Sequence, residues 1–300
     1  MRRVKLLVAA VAVGTLLVGC GEQAGAERDA AGGQAIDSGS AMGSPQADPV
    51  ALIGSWTVAQ ADGGAGDVLR LASDTDGGLL LFGRCGVRMG TWRADVNGLF
   101  VADATGSSVS DNARGCGPDT EAAGGWLDRA VAFQVDGDSR VLLDGQGMRV
   151  ARLLPGAKPT PGPNLLPSLA APPTVTDEVR RALAPAAALP ATVTPAGRDA
   201  LLGRWVPADG RRDGSQAPHV ELRDDGEWRG SDGCNGQSGR WVAGPDGALL
   251  ATAGPSTLIG CDNVPVGSWL SAACRAGLDG QVLVLFDAQG KETGRLRRDS

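Results

Sequence analysis

The 300-residue chain is predicted to fold as two small α+β domains, each antiparallel and β-rich with one packed helix, joined by a Pro/Ala-rich linker. Three observations predict it. A pattern of tryptophans, cysteines and glycines recurs once, at an offset near 149 residues. Short apolar stretches are punctuated by Asn-Gly and Asp-Gly, dipeptides that tolerate the positive φ of tight hairpin turns. Ten of the eighteen prolines fall between residues 155 and 198, where the two copies meet.

The repeat reads as follows. Leu52-Ile53-Gly54-Ser55-Trp56 matches Leu201-Leu202-Gly203-Arg204-Trp205, and the same offset sets Cys85 on Cys234, Gly90 on Gly239 and Trp92 on Trp241. Small deletions then bring Cys116 onto Cys261 and Trp126 onto Trp269. Six of the seven tryptophans therefore pair, and Trp228 is left over. The boundaries that follow are 51–154 for the first domain, 155–198 for the linker and 199–298 for the second domain.

Within each copy, a strand surrounds the first tryptophan and a second carries alternation, Val68-Leu69-Arg70-Leu71 and Val220-Glu221-Leu222-Arg223. Helical spacing of apolar residues predicts a helix over Trp126–Phe133 and its partner over Trp269–Ala276. Arg140–Leu143 with Met148–Leu153, and Val282–Phe286 with Thr293–Leu296, close the copies as strands. In the linker, Thr176 ahead of Asp177-Glu178 is a helix start with acidic residues at the positive end of the dipole. Thr194-Pro195 is expected to open a second short helix, as a cap followed by proline. The second copy centres on Asp225–Trp241, a glycine-studded corner holding Cys234.

Ahead of these units, Arg2, Arg3 and Lys5 precede an apolar run from Val4 to Val18 that is short for a membrane-spanning helix. It ends in Leu17-Val18-Gly19-Cys20, which resembles the lipobox of bacterial lipoproteins. That resemblance implies a signal peptide over 1–19, lipid on the Cys20 thiol, and a cell-membrane protein anchored on the extracytoplasmic face. Two acyl chains on one cysteine meet the double signal that stable anchoring requires. Residues 20–50 lack apolar periodicity and read as a disordered tether.

Charge excludes one function class. Lys+Arg number 28 against 34 Asp+Glu, so a nucleic-acid partner, whose affinity comes largely from phosphate neutralisation, is not expected. Cysteines follow the export signal. Cys85 with Cys116 and Cys234 with Cys261 are expected as two disulfides at matching positions, and Cys274 as a buried thiol on the second helix. No Cys-x-x-Cys occurs and His219 is the one histidine, so neither a metal nor a cofactor is expected.

Catalytic patterns do not assemble. No Gly-x-Ser-x-Gly surrounds a serine, and the glycines at 230, 233, 236 and 239 lead into a strand rather than the helix N-terminus a phosphate cradle needs. Asp74-Thr75-Asp76 and Asp136-Gly137-Asp138 lack the later glutamate of a calcium loop and read as turns.

The second copy resembles the META domain of heat-shock-type envelope lipoproteins. Leu202-Gly203-Arg204-Trp205, Gly233-Cys234-Asn235 with Gly239, Cys261, Trp269-Leu270 and Leu283–Gly290 carry the resemblance. The first copy is divergent, with Arg84-Cys85-Gly86 where the family has Gly-Cys-Asn. The resemblance implies a compact α+β envelope domain tied to stress tolerance, and no catalytic residues. The expected function is a non-enzymatic anchored lipoprotein that meets an envelope protein, glycan or lipid, with Trp228, Arg229 and Asn235 as the candidate binding surface, although Trp228 reads more readily as a core residue. The alternatives are an inhibitor of a cell-wall hydrolase, which needs an exposed loop at 229–239 with Arg229 and Asn235 outward, and a hydrolase built on His219.

Overall fold

The computed structural model describes residues 47–61, 63–109, 125–160, 165–211, 216–257 and 259–299, without side chains for 106–109. Cys20, Cys116, the signal segment and nearly all of the tether lie outside these residues. Residues 43–300 cluster as one compact unit.

The first sheet contains β1 (Gly54–Ala59), β2 (Val68–Leu71), β3 (Leu79–Gly83), β4 (Gly86–Ala94), β5 (Phe100–Val109), β6 (Ala132–Asp136), β7 (Ser139–Leu143) and β8 (Arg149–Pro155). Helix α1 (Gly125–Arg129) precedes β6. The strand order is β5-β4-β3-β2-β1-β8-β7-β6. After the linker come α2 (Asp177–Ala182), β9 (Thr194–Pro195) and α3 (Arg198–Leu201). The second sheet contains β10 (Gly203–Pro207), β11 (His219–Leu222), β12 (Glu227–Ser231), β13 (Gly236–Ala243), β14 (Leu249–Ala251), β15 (Arg275–Asp279), β16 (Val282–Phe286) and β17 (Glu292–Arg298), with α4 (Val266–Ala272) ahead of β15. Its order is β14-β13-β12-β11-β10-β17-β16-β15-β9. Strand for strand the two orders coincide, β9 being the addition. The chain is mostly β with few helices, an α+β fold as expected.

The equivalence reaches single hydrogen bonds. Trp56 Nε1 donates to the Leu52 carbonyl at 2.8 Å, and Trp205 Nε1 to Leu201 at 2.7 Å. A guanidinium covers each ring, Arg140 over Trp56 at 4.9 Å and Arg298 over Trp205 at 4.1 Å, although different strands supply the two cations. Bridges Leu99–Ala132 and Ala248–Arg275 join the outer strands at one end, so each sheet curls toward closure around its own core.

Two expectations are corrected. The helices are shorter than apolar spacing suggested and lie earlier, because Phe133 and Ala276 belong to strands whose inward residues mimic a helical stripe over one turn. Cys274 accordingly sits between α4 and β15, half-buried, and is the free cysteine among the described residues. Thr194-Pro195 does not open a helix. It pairs with Gly277 and Leu278 as an edge strand, where proline's missing N–H costs no ladder bond, and α3 starts after Gly197.

The linker is a strap. Leu165, Leu169 and Ala170 pack on Leu80, Phe82 and Val87, covering the outer face of the first sheet. Fully buried Arg70 donates to the Ala171 carbonyl at 2.9 Å and pairs with Asp76 at 2.9 Å. Thr176 caps α2 through the Val179 N–H, and Leu183 packs against the first core. Further on, the Ala187 N–H reaches the Ala288 carbonyl at 3.0 Å, and β9 then closes the edge of the second sheet.

The two sheets meet through β4 and β5 on one side and β13 and β14 on the other, with Val101, Val242 and Leu250 buried between them. Arg93 of β4 crosses this seam. Its Nη1 donates to the Ser271 and Ala273 carbonyls at 2.5 and 2.7 Å, and its Nη2 lies 3.0 Å from the Cys274 sulfur.

Candidate functional site

The corner between β12 and β13 is built around Asp232. Gly233, at φ +108, turns the chain there, a conformation open to glycine. Asp232 Oδ1 accepts the N–H groups of Cys234 at 2.8 Å and Asn235 at 2.6 Å, while Oδ2 accepts the side-chain amides of Asn235 at 3.1 Å and Asn263 at 2.8 Å. Burial by itself would raise this carboxyl. The four donors outweigh it and hold the carboxyl below its ordinary value.

Asn235 then ties the corner to the downstream segment. Its Oδ1 accepts from Thr257 Oγ1 at 2.7 Å and from the Ile259 N–H at 2.8 Å. The Cys234–Cys261 disulfide spans the same two segments with Cα atoms 6.6 Å apart. Covalent and polar clasps thus act in parallel on one loop. In the first copy Arg84-Cys85-Gly86 supplies neither the amide nor the aspartate. Cys85 is disulfide-bonded there; its expected partner, Cys116, lies outside the described residues.

Of the three residues expected at a binding surface, two turn inward. Trp228 is 1% exposed, and its indole N–H donates to the Thr252 carbonyl at 2.7 Å beneath Gly239. Asn235 is 4% exposed because its amide serves the clasp. Arg229 is at the surface, its side chain 62% exposed beside Glu227 at 3.1 Å. His219 sits at the start of β11 with Nδ1 2.9 Å from the Ala217 carbonyl, the bond of a ring carrying its proton on Nδ1. Neither calcium-like fragment is a loop of that kind: Asp74–Asp76 forms one 3-10 turn with Asp76 paired to Arg70, and Asp136 opens a hairpin turn and pairs with Arg152 at 2.8 Å.

Arg229 opens onto a groove of about 520 Å³ that neither copy forms alone. Arg88, Asp103, Thr105 and Asp128 come from the first copy, and Glu227, Arg229, Gln237, Ser238 and Arg240 from the second. Asp103 is 5% exposed on β5, and desolvation raises its carboxyl above the ordinary value, against a hydrogen bond from Thr105 and the fields of Arg240 and Arg88. A second cavity, about 200 Å³, lies where Trp92 to Asn97, the strap at Val179 and Ala182 to Ala186, and the residues Leu250, Cys274 and Arg275 converge. Cys274 and Asp95 line it, and burial raises the Asp95 carboxyl although the Leu99 and Asn97 donors oppose the shift.

Arg93 and Asp103 escaped the sequence reading because repeat equivalence marks what the copies share, and these two differ between copies. Arg93 falls on Val242 and Asp103 on Thr252 at the 149-residue offset. A charge aligned with an uncharged residue of the other copy was the available signal.

Among the described residues no group of three or more His, Cys, Asp or Glu is placed to hold a metal ion, and no helix is long and apolar enough to cross a membrane. Comparison of the chain with protein-family models, with curated proteins and with solved structures finds no match.

Proposed function

We propose that this chain is an extracytoplasmic lipoprotein with META-like repeats, anchored to the cell membrane through lipid on Cys20. It acts without catalysis, in envelope integrity under stress, by holding a partner on its surface. The observation that carries the reading is the run from Arg2 to Cys20, a cationic start, an apolar stretch and Leu-Val-Gly-Cys, followed by disulfide-clasped repeats that suit an oxidising compartment. The groove beside Arg229, to which both copies contribute polar groups, supports a partner site there.

The inhibitor alternative loses one of its two supports, because Asn235 serves the clasp and is not presented outward. The hydrolase alternative rests on His219, which lines neither the groove nor the smaller cavity. Fractionation of cells expressing Cys20→Ala tests the main reading. The variant is expected in the soluble extracytoplasmic fraction, and its retention in the membrane pellet would overturn the anchor.

A further inference from the structure

The inter-repeat groove has a lining of unusual uniformity. Three guanidiniums, Arg88, Arg229 and Arg240, share it with three carboxylates, Asp103, Asp128 and Glu227, so its formal charge is balanced. An anionic ligand would meet the carboxylates and a cationic one the guanidiniums, each at the cost of desolvating a like charge. The remaining lining is amide, hydroxyl and glycine, and it contains no Leu, Ile, Val, Met or Phe. Its one ring, Trp228, is buried. No aliphatic side chain is there to pack on a lipid chain or on the apolar side chains of a peptide.

The polar groups also retain hydrogen-bonding capacity. Arg88 gives Nε and Nη2 to the Ala104 carbonyl at 2.9 and 2.7 Å, and Arg240 gives Nη2 to the Asp225 backbone carbonyl at 3.1 Å. A guanidinium has five N–H donors and an ionised carboxylate about four acceptor sites, so the guanidiniums and the half-buried Asp128 and Glu227 can still bind a ligand, whereas Asp103 is buried. A hydroxyl both donates and accepts. Adjacent hydroxyls can therefore bridge guanidinium and carboxylate and leave neither unsatisfied. A volume of about 520 Å³ is within the range of small-molecule sites.

We propose that the groove binds a neutral oligosaccharide, two or three sugars long, through hydroxyls laid between its guanidiniums and carboxylates. The inference rests on the partner-binding half of the function above and is independent of the anchor. With no exposed aromatic platform, affinity is set by hydrogen bonds that replace those to water, which points to a dissociation constant on the order of 1 mM.

The test is titration of the purified full chain carrying Cys20→Ala with diacetylchitobiose, maltotriose and mannotriose, followed by NMR or calorimetry. Glucose 6-phosphate and trialanine serve as charged and peptide comparators. At least one neutral sugar is expected to bind, and Arg229→Ala and Glu227→Gln should each weaken it by about tenfold. Both side chains are exposed enough for the variants to fold, which their thermal melts would verify. Absence of binding by all three sugars, binding unchanged in both variants, or preference for either comparator would overturn the proposal. Because the protein is already unanchored, these outcomes leave the Cys20 fractionation result unaffected.

Discussion

Asp232 and Asp103 are both buried carboxylates, and their surroundings shift them in opposite directions. Asp232 is held below its ordinary value, so its contribution to stability is complete above that value and is lost as pH falls through the folded-state pKa. Asp232→Ala leaves the Cys234 and Asn235 N–H groups and the Asn263 amide without this acceptor, while the Asn235 amide keeps the Ile259 carbonyl, and should cost about 1–3 kcal/mol at neutral pH. Urea unfolding of parent and variant should show the gap closing as the solution is acidified below the ordinary carboxylate range. Asp103 is the reverse case. Between its ordinary value and its raised folded value the native state binds the extra proton, so stability declines as pH rises through that window. Asp103→Asn removes the ionisation, and its urea midpoint should exceed the parent's at neutral pH and converge with it in acid. A midpoint that stays below the parent's throughout would mean that the carboxylate is a net stabiliser.

Among the elements, the β11–β12–β13 meander depends on close backbone approach. A Cβ on Gly230 would lie 2.2 Å from the His219 carbonyl oxygen, and one on Gly239 2.2 Å from that of Thr252. Neither oxygen can yield without parting two strands. Gly230→Ala is therefore expected to lower stability by about 1–3 kcal/mol, measured by thermal melting. The same positions explain why the glycine series runs into a strand and not into a helix N-terminus. The disulfide acts on the loop that follows. Closing a 27-residue separation should contribute about 3–4 kcal/mol by the chain-entropy account, so Cys234→Ala with Cys261→Ala should shift the urea midpoint by that equivalent. The Asn235 bonds span the same gap, so the doubly substituted protein should still fold, with Ile259 exchanging its amide hydrogen faster.

At the scale of the molecule, two copies of one sheet order become a single unit through the strap and the seam. The strap explains two features that look anomalous in an isolated repeat. Leu79–Phe82 is buried on both faces because Leu165 and Leu169 lie over the outer one, and Arg70 is buried between leucines because the strap supplies its carbonyl partner. Arg93 fastens the seam with charge-assisted bonds to two carbonyls. Arg93→Met should leave both sheets folded while costing about 1–3 kcal/mol of their association. Hydrogen exchange would report this as faster loss of protection at the Cys274 amide, which follows the Arg93 acceptors, and at Leu249, whose N–H donates to the Cys274 carbonyl. Unchanged protection at both would show that the apolar contacts of Val101, Val242 and Leu250 hold the seam unaided.

The sequence by itself determined the duplication, the strand around the first tryptophan of each copy, the turns at Asn-Gly and Asp-Gly, and the cysteine pair at 234 and 261. These follow from local rules: period-two alternation, positive φ at glycine, and matched spacing in two copies. Only the tertiary structure decided that the proline-rich segment is a strap, that Thr194-Pro195 is a strand, that Trp228 and Asn235 face inward, and that a charge-balanced groove opens between the copies. Each of those outcomes depends on what another part of the chain covers. Burial of a side chain and the edge of a sheet are properties of its neighbours, and residues from 24 to 101 positions away supply them here.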